Sequence, residues 1–271
     1  MKLKAACIQI NSQNDIKSNI DRAEQFINEA VQKGADFIAL PENIALMSAT
    51  TDETLAKANF MEDSVALQEF CRIAHKVNKF LLIGSLHIKD HNSKKLFNRS
   101  FLINGKGEVV SYYDKIHLFN VDIANGESHR ESERFNHGGQ ACVAKTPWGY
   151  LGMTVCYDVR FPKLYRDLAK NGAWFITVPS AFTQVTGEAH WHVLLRARAI
   201  ENSCYIIAPA QTGKHPSGRQ TFGHSLIIDP WGRVLADAGT EEGIIIAEID
   251  SEVSKKIRQE LPSLQHDREY D

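Results

Sequence analysis

Phe37-Ile38-Ala39-Leu40-Pro41-Glu42 is a run of four apolar residues that stops at a proline and a carboxylate. The run shows no polar alternation, so both of its faces require apolar neighbours, as in a strand buried on both sides of a sheet. The flanking sequence agrees. Upstream, Leu3–Ile10 is a short apolar strand, and Asn19–Gly34 sets Ile20, Ala23, Ile27, Ala30 and Val31 on one helical face before Gly34 ends it. Downstream, Ser64–Asn78 repeats the helical period through Leu67, Phe70, Ile73, Ala74 and Val77, and Phe80-Leu81-Leu82-Ile83-Gly84 is a second continuous apolar run. Strand, helix, strand, helix, strand in that order predicts a layered α/β fold.

From Leu96 the pattern turns to hairpins. Asn98–Ile103 and Glu108–Tyr113 flank the turn Asn104-Gly105-Lys106-Gly107. Residues Asn120–Gly139 are polar without period and predict a long loop, functional or mobile. A second hairpin, Ala141–Val155, turns at Pro147-Trp148-Gly149 and delivers Cys156. Helix Pro162–Gly172, strand Trp174–Val178, helix Glu188–Asn202 and strand Cys204–Pro209 follow. A third hairpin spans Ser225–Asp237, then a strand Gly243–Ile249, and Ser251 caps a last helix over Glu252–Leu261. No linker rich in Pro, Gly or Ser divides the chain, which predicts one domain over residues 1–271.

Composition narrows the class. The chain has 271 residues, a net charge of -2 and 43% hydrophobic residues, which suits a sizeable core and offers no basic patch for nucleic acid. No apolar run approaches the roughly eighteen residues that span a bilayer, and the first residues lack a signal-peptide pattern. Five scattered cysteines (Cys7, Cys71, Cys142, Cys156, Cys204) without a C-x-x-C pair predict reduced thiols in a cytoplasmic setting, with no structural zinc. His190 and His192, two apart on a helix, point about 200° away from each other and cannot share a metal ion.

In layered α/β folds, ligands gather beyond the carboxyl ends of the strands. Three reactive side chains stand there: Glu42, Lys115 and Cys156. Pro162, six residues past Cys156, favours the first position of a helix. Cys156 is therefore expected in a sharp turn feeding a helix N-terminus, where the dipole favours a thiolate. A carboxylate base, an ammonium facing an oxyanion and a cysteine nucleophile together make an amide hydrolase. On position alone, each of the three also fits an ordinary structural role.

The residues around them narrow this. Leu40-Pro41-Glu42, Asp114-Lys115-Ile116-His117-Leu118-Phe119, Val155-Cys156-Tyr157-Asp158-Val159-Arg160-Phe161-Pro162, Ser180-Ala181-Phe182 and Arg196–Asn202, in this order, resemble the nitrilase or carbon–nitrogen hydrolase superfamily. The resemblance implies a four-layer α-β-β-α sandwich, no cofactor and no metal, and assembly as a homodimer or higher homo-oligomer. It implies Glu42 as general base, Lys115 as oxyanion stabiliser, Cys156 as nucleophile and a second glutamate on the loop after the lysine. Glu131 matches that glutamate's setting, and Glu127, which also precedes a serine, is the alternative. Within the superfamily, His117-Leu118-Phe119, Gly187–Trp191, Gly223-His224-Ser225 and Leu261–His266 resemble the amidases of deaminated glutathione and the neighbouring ω-amidases. Asn120 and Ala124 depart from that pattern, where aspartate and proline are usual.

The expected reaction is hydrolysis of the γ-amide of a 2-oxo acid through a cysteine thioester, with a small anionic amide as substrate. Arg160 is a candidate to face the substrate carboxylate, or only to tie down its loop; Phe182 and His190 are candidates to line the pocket. An ω-amidase on 2-oxoglutaramate, a carbamoyl-amide hydrolase, an acyltransferase of the same fold and a catalytically dispensable binding or signalling scaffold are the competing readings.

Overall fold

A computed structural model describes residues 1–122 and 128–268. The first half runs β1 (Lys2–Gln9), α1 (Ile16–Gln32), β2 (Phe37–Ala39), α2 (Thr51–Lys57), α3 (Val65–Val77), β3 (Phe80–Lys89), β4 (Leu96–Ile103) and β5 (Val109–Asp114). A small hairpin follows, β6 (Asn120–Asp122) and β7 (Ser128–Arg130), then β8 (Cys142–Thr146), β9 (Gly149–Met153), α4 (Pro162–Lys170) and β10 (Ala173–Thr177). The chain continues with α5 (Gln184–Asn202), β11 (Tyr205–Ala208), β12 (Thr212–Lys214), β13 (Gln220–Phe222), β14 (Leu226–Ile228), β15 (Val234–Asp237), β16 (Gly243–Asp250) and α6 (Ser251–Glu260).

Two six-stranded sheets stack face to face, in the orders β16-β1-β2-β3-β4-β5 and β15-β14-β11-β10-β9-β8. At the centre of each, three strands run parallel. The pleat explains the layering. Leu3, Ala5 and Cys7 of β1 point into a core shared with Leu151, Met153, Phe175 and Ile206 of the other sheet. Ala6 and Ile8, one residue out of phase, meet Ile20, Ala23 and Ile27 of α1 and Phe70 and Ile73 of α3. On the far sheet α4 and α5 supply Leu164, Leu168, Trp191 and Leu195. The result is the four-layer α-β-β-α sandwich. At its centre the Phe37 and Phe175 rings meet edge to face, 5.9 Å apart. No helix among the described residues is long and apolar enough to cross a membrane.

Four local expectations change. Asp250 rather than Ser251 caps α6, accepting from the Glu252 N–H at 3.0 Å. Helix α5 begins at Gln184, earlier than expected, and runs through Gly187. That glycine allows close packing, since a Cβ there would lie 2.3 Å from the Phe222 ring. Helix α2 and the β12–β13 hairpin carry no apolar period and were not anticipated. The stretch 120–139 is partly ordered, with the β6–β7 hairpin and a 3-10 turn over Glu131–Glu133.

Candidate active site

Glu42 stands beyond the carboxyl end of β2, Lys115 beyond β5 and Cys156 beyond β9, so both sheets contribute to one site. Two glycines let the backbone close in behind it. A Cβ on Gly84 would lie 2.1 Å from the Leu40 carbonyl oxygen, and one on Gly138 would lie 2.1 Å from that of Asp114. Gly138 N–H donates to the Lys115 carbonyl at 2.8 Å, while Lys115 N–H donates to Asn98 at 3.0 Å.

Lys115 Nζ, fully buried, donates to Glu42 Oε1 at 2.9 Å and to Glu131 Oε1 and Oε2 at 3.0 and 2.9 Å. Asn98 Nδ2 bridges the same two carboxylates at 2.9 and 3.1 Å. Glu42 Oε2 accepts from the Ala181 N–H at 2.9 Å, and Glu131 Oε2 from the Phe119 N–H at 2.6 Å. Glu131 is therefore the loop glutamate that reaches the lysine; Glu127, the alternative, lies outside the described residues, as does Ala124. Asn120 exchanges two hydrogen bonds with Ser132, beside Glu131, so its side chain ties the β6 end of the loop to the turn.

Cys156 has a left-handed backbone, φ 50°, that few non-glycine residues adopt. Its N–H donates to the Pro179 carbonyl at 2.9 Å. Asp158, fully buried, fixes the turn: Oδ2 accepts from Val155 N–H and the Tyr113 hydroxyl, both at 2.8 Å, and Oδ1 from His117 N–H at 3.0 Å. This couples the cysteine turn to the strand end that carries Lys115.

Electrostatics correct the thiolate expectation. Burial pushes the Cys156 thiol well above its ordinary value, and the Glu42 carboxylate adds to the rise, against the opposing pull of Lys115. The turn does not offset this, because Cys156 opens a short 3-10 segment, Cys156–Arg160, and α4 begins only at Pro162, beyond the reach of its dipole. The resting thiol is protonated and needs a base. Burial raises Glu42, but the charge and hydrogen bond of Lys115, with the Cys156 contact, outweigh it and hold the carboxyl below its ordinary value. For Lys115, burial lowers the ammonium, and Glu131 and Glu42 outweigh that and keep it charged.

These groups line a cavity of about 740 Å³. Phe182 lines it. Arg160 and His190 do not: the Arg160 guanidinium lies over the rings of Tyr157 and Phe182, 5.7 and 5.5 Å from their centres, and its Nη2 is 3.3 Å from His190 Nδ1 on the surface. Among the described residues, Lys115, Arg134 and Arg219 are the lysine and arginines that line it. Asn98, Arg134 and Arg219 went unrecognised in the sequence. Asn98 reads as one residue of an alternating strand, and the arginines sit in polar loops with no period. His192 turns away to Asp237, which also holds His224, at 3.1 and 2.9 Å.

The fold and this site define a class. The carbon–nitrogen hydrolase family profile matches residues 4–259, and the chain belongs to that family, whose members hydrolyse carbon–nitrogen bonds. The protein is 42% identical to a deaminated glutathione amidase of Synechocystis sp., over 97% of both chains, and 39% identical to that of Mus musculus, over 99% of this chain and 84% of the relative. Among solved structures it is similar to the Caenorhabditis elegans NitFhit protein, with TM-score 0.92 and 37% identity over 98% of this chain. This chain spans only 65% of NitFhit. It is also similar to Saccharomyces cerevisiae Nit3, a member of branch 10 of the nitrilase superfamily, with TM-score 0.87 and 32% identity over 96% of this chain and 94% of that one.

Proposed function

We propose that the protein hydrolyses deaminated glutathione at its γ-amide bond, yielding 2-oxoglutarate and Cys-Gly. The observation that carries this reading is the contact set of one thiol, two carboxylates and one ammonium inside a cavity of about 740 Å³, in a chain 42% identical to an amidase of that name. The volume suits a substrate of tripeptide size.

Glu42, which lines the cavity beside Cys156, takes the thiol proton as the sulfur attacks the amide carbon. The carbonyl oxygen becomes an oxyanion facing the Lys115 ammonium. The first N–H groups of a helical segment lack intrahelical acceptors, and we assign that of Tyr157, in the 3-10 segment Cys156–Arg160, as the second donor. Glu42 then gives its proton to the departing amine, the C–N bond breaks and a thioester remains. Water, deprotonated by Glu42, attacks the thioester and returns the thiol. Glu131 and Asn98 hold Lys115 and Glu42 in register throughout. The two sheets share one core, which supports reading residues 1–271 as a single domain.

A side-by-side assay of deaminated glutathione, 2-oxoglutaramate and carbamoyl amino acids tests the reading. The expected result is the highest kcat/KM for deaminated glutathione. A higher value for a carbamoyl amino acid, or wild-type turnover of none of them, would overturn it.

A further inference from the structure

The charges around the cavity do not cancel. Among the described residues that line it, two carboxylates, Glu42 and Glu131, face three cations, Lys115, Arg134 and Arg219, and Lys115 is spent on the carboxylates. His87, in the same wall, is pulled down to about 4 by desolvation first and by Arg134 second, and adds no charge at neutral pH. Neither guanidinium is ion-paired with a carboxylate among the described residues, although Glu131 and Glu133 favour the charge of Arg134. Arg134 lies over the Phe135 ring, 5.7 Å from its centre, and no hydrogen bond or ion pair with a described residue holds its guanidinium. Arg219 donates from Nη2 to the Ala181 carbonyl, while its buried Nε has no hydrogen-bond partner. Like charges in a half-buried wall repel, and an unpaired buried donor is costly. An anion between them relieves both.

Both arginines are held in place by backbone, as a built site requires. Arg134 closes the 3-10 turn that Glu131 opens: its N–H donates to the Glu131 carbonyl at 3.1 Å, and its own carbonyl accepts from Leu96 N–H at 2.9 Å. Arg219 leads into β13, and its carbonyl accepts from His215 N–H at 2.9 Å. The His215 ring is wedged between the Ser12 carbonyl and the Thr221 hydroxyl, each at 2.8 Å, which fixes that turn. Arg219 is thereby tied to Ala181, whose N–H holds Glu42, and Arg134 to Glu131, which holds Lys115.

Resting on the function proposed above, we infer that Arg134 and Arg219 form a carboxylate-binding subsite for the acyl half of the substrate. The class of acyl donor is then the ω-amide of a dicarboxylic acid. The pair is one residue away from groups that touch the reacting atoms, and a 2-oxoglutaryl group carries its free carboxylate only a few bonds from the scissile carbonyl. The carboxylate of the leaving dipeptide lies farther out. Since the acyl half remains on Cys156 as the thioester, the same subsite holds the intermediate while water attacks. Guanidinium forks match carboxylate geometry and give direction as well as charge.

The test compares wild type with Arg134→Gln, Arg219→Gln and Arg219→Lys on deaminated glutathione, 2-oxoglutaramate and an uncharged acyl amide such as butyramide. Each Gln variant is expected to lose about 10–100-fold in kcat/KM on both anionic-acyl substrates, mainly through KM, because the carboxylate is held equally before and during attack. Butyramide turnover should fall far less than that of either anionic-acyl substrate, since only those carry the carboxylate that the pair would hold. Arg219→Lys, which keeps the charge and loses the fork, should fall between. Calorimetric binding of 2-oxoglutarate to wild type, weakened in both Gln variants, reads the subsite without any turnover. Equal losses on all three amides would make the arginines structural, and a loss confined to deaminated glutathione would move the subsite to the leaving half; either result overturns the inference. Should wild type bind 2-oxoglutarate through these arginines yet cleave none of the amides, the function is wrong and the subsite stands.

Discussion

At the residue scale the chemistry turns on a protonated thiol beside an ionised glutamate. Cys156→Ala is expected to lower kcat by on the order of 10⁵-fold or more with little change in thermal midpoint, because the nucleophile is lost and a small side chain remains in the same backbone. Residual turnover well above background in a purified variant would remove Cys156 from its role. The pH profile follows from Glu42. Its carboxyl is held below the ordinary 4.5, so the base form persists at neutral pH and is lost only as pH falls through that depressed value. Lys115 stays protonated above 10.5 and contributes no alkaline loss below it. We expect kcat/KM to be flat across neutral pH, with an acid limb below 4.5. A limb near 6 to 7 would assign the base to a histidine instead. Cys156, Glu42 and Lys115 were legible because each follows an apolar run or a hairpin strand. Arg134 and Arg219 were not, because a polar loop has no period to say which side chains turn inward. Arg160, expected either to face the substrate or to tie down its loop, lies over Tyr157 and Phe182 outside the lining residues, and four residues past Cys156 in sequence says nothing about which side of the turn it takes.

At the element scale, the site depends on strand ends brought closer than side chains normally allow. Gly84→Ala puts a methyl group against the Leu40 carbonyl, directly behind Glu42. We expect a loss of about 1–3 kcal/mol in denaturant unfolding and a fall in kcat, as the backbone carrying Glu42 is displaced. Gly139→Ala is the control, since nothing lies within 4 Å of its added Cβ, and it should leave both quantities unchanged. If Gly84→Ala leaves stability and kcat alone as well, the close approach does not govern the position of Glu42. Gly187, just before the expected start of the helix and inside the observed one, shows the complementary case, where the missing Cβ seats α5 against Phe222. A glycine in sequence announces a backbone requirement, and only the neighbour across the gap says which one.

At the scale of the whole molecule, stability and site are divided between layers. Phe175, at the middle of the sandwich, touches Phe37 and Trp174 and is not among the residues that line the cavity. Phe175→Ala should cost about 3–5 kcal/mol in equilibrium unfolding while KM of the folded enzyme stays near wild type. A large KM change with normal stability would show that the core and the cavity are coupled. The kinds of element, their order and the three reactive strand ends follow from sequence alone, because periodicity records which faces are apolar and the residues after an apolar run mark its end. The meeting of those ends belongs to the tertiary structure. Lys115 reaches Glu42 across 73 positions and Glu42 reaches Ala181 across 139, contacts set by strand order and by the stacking of two sheets. No local pattern encodes that order, since each buried strand satisfies the same apolar requirement beside any neighbour until the whole sandwich closes.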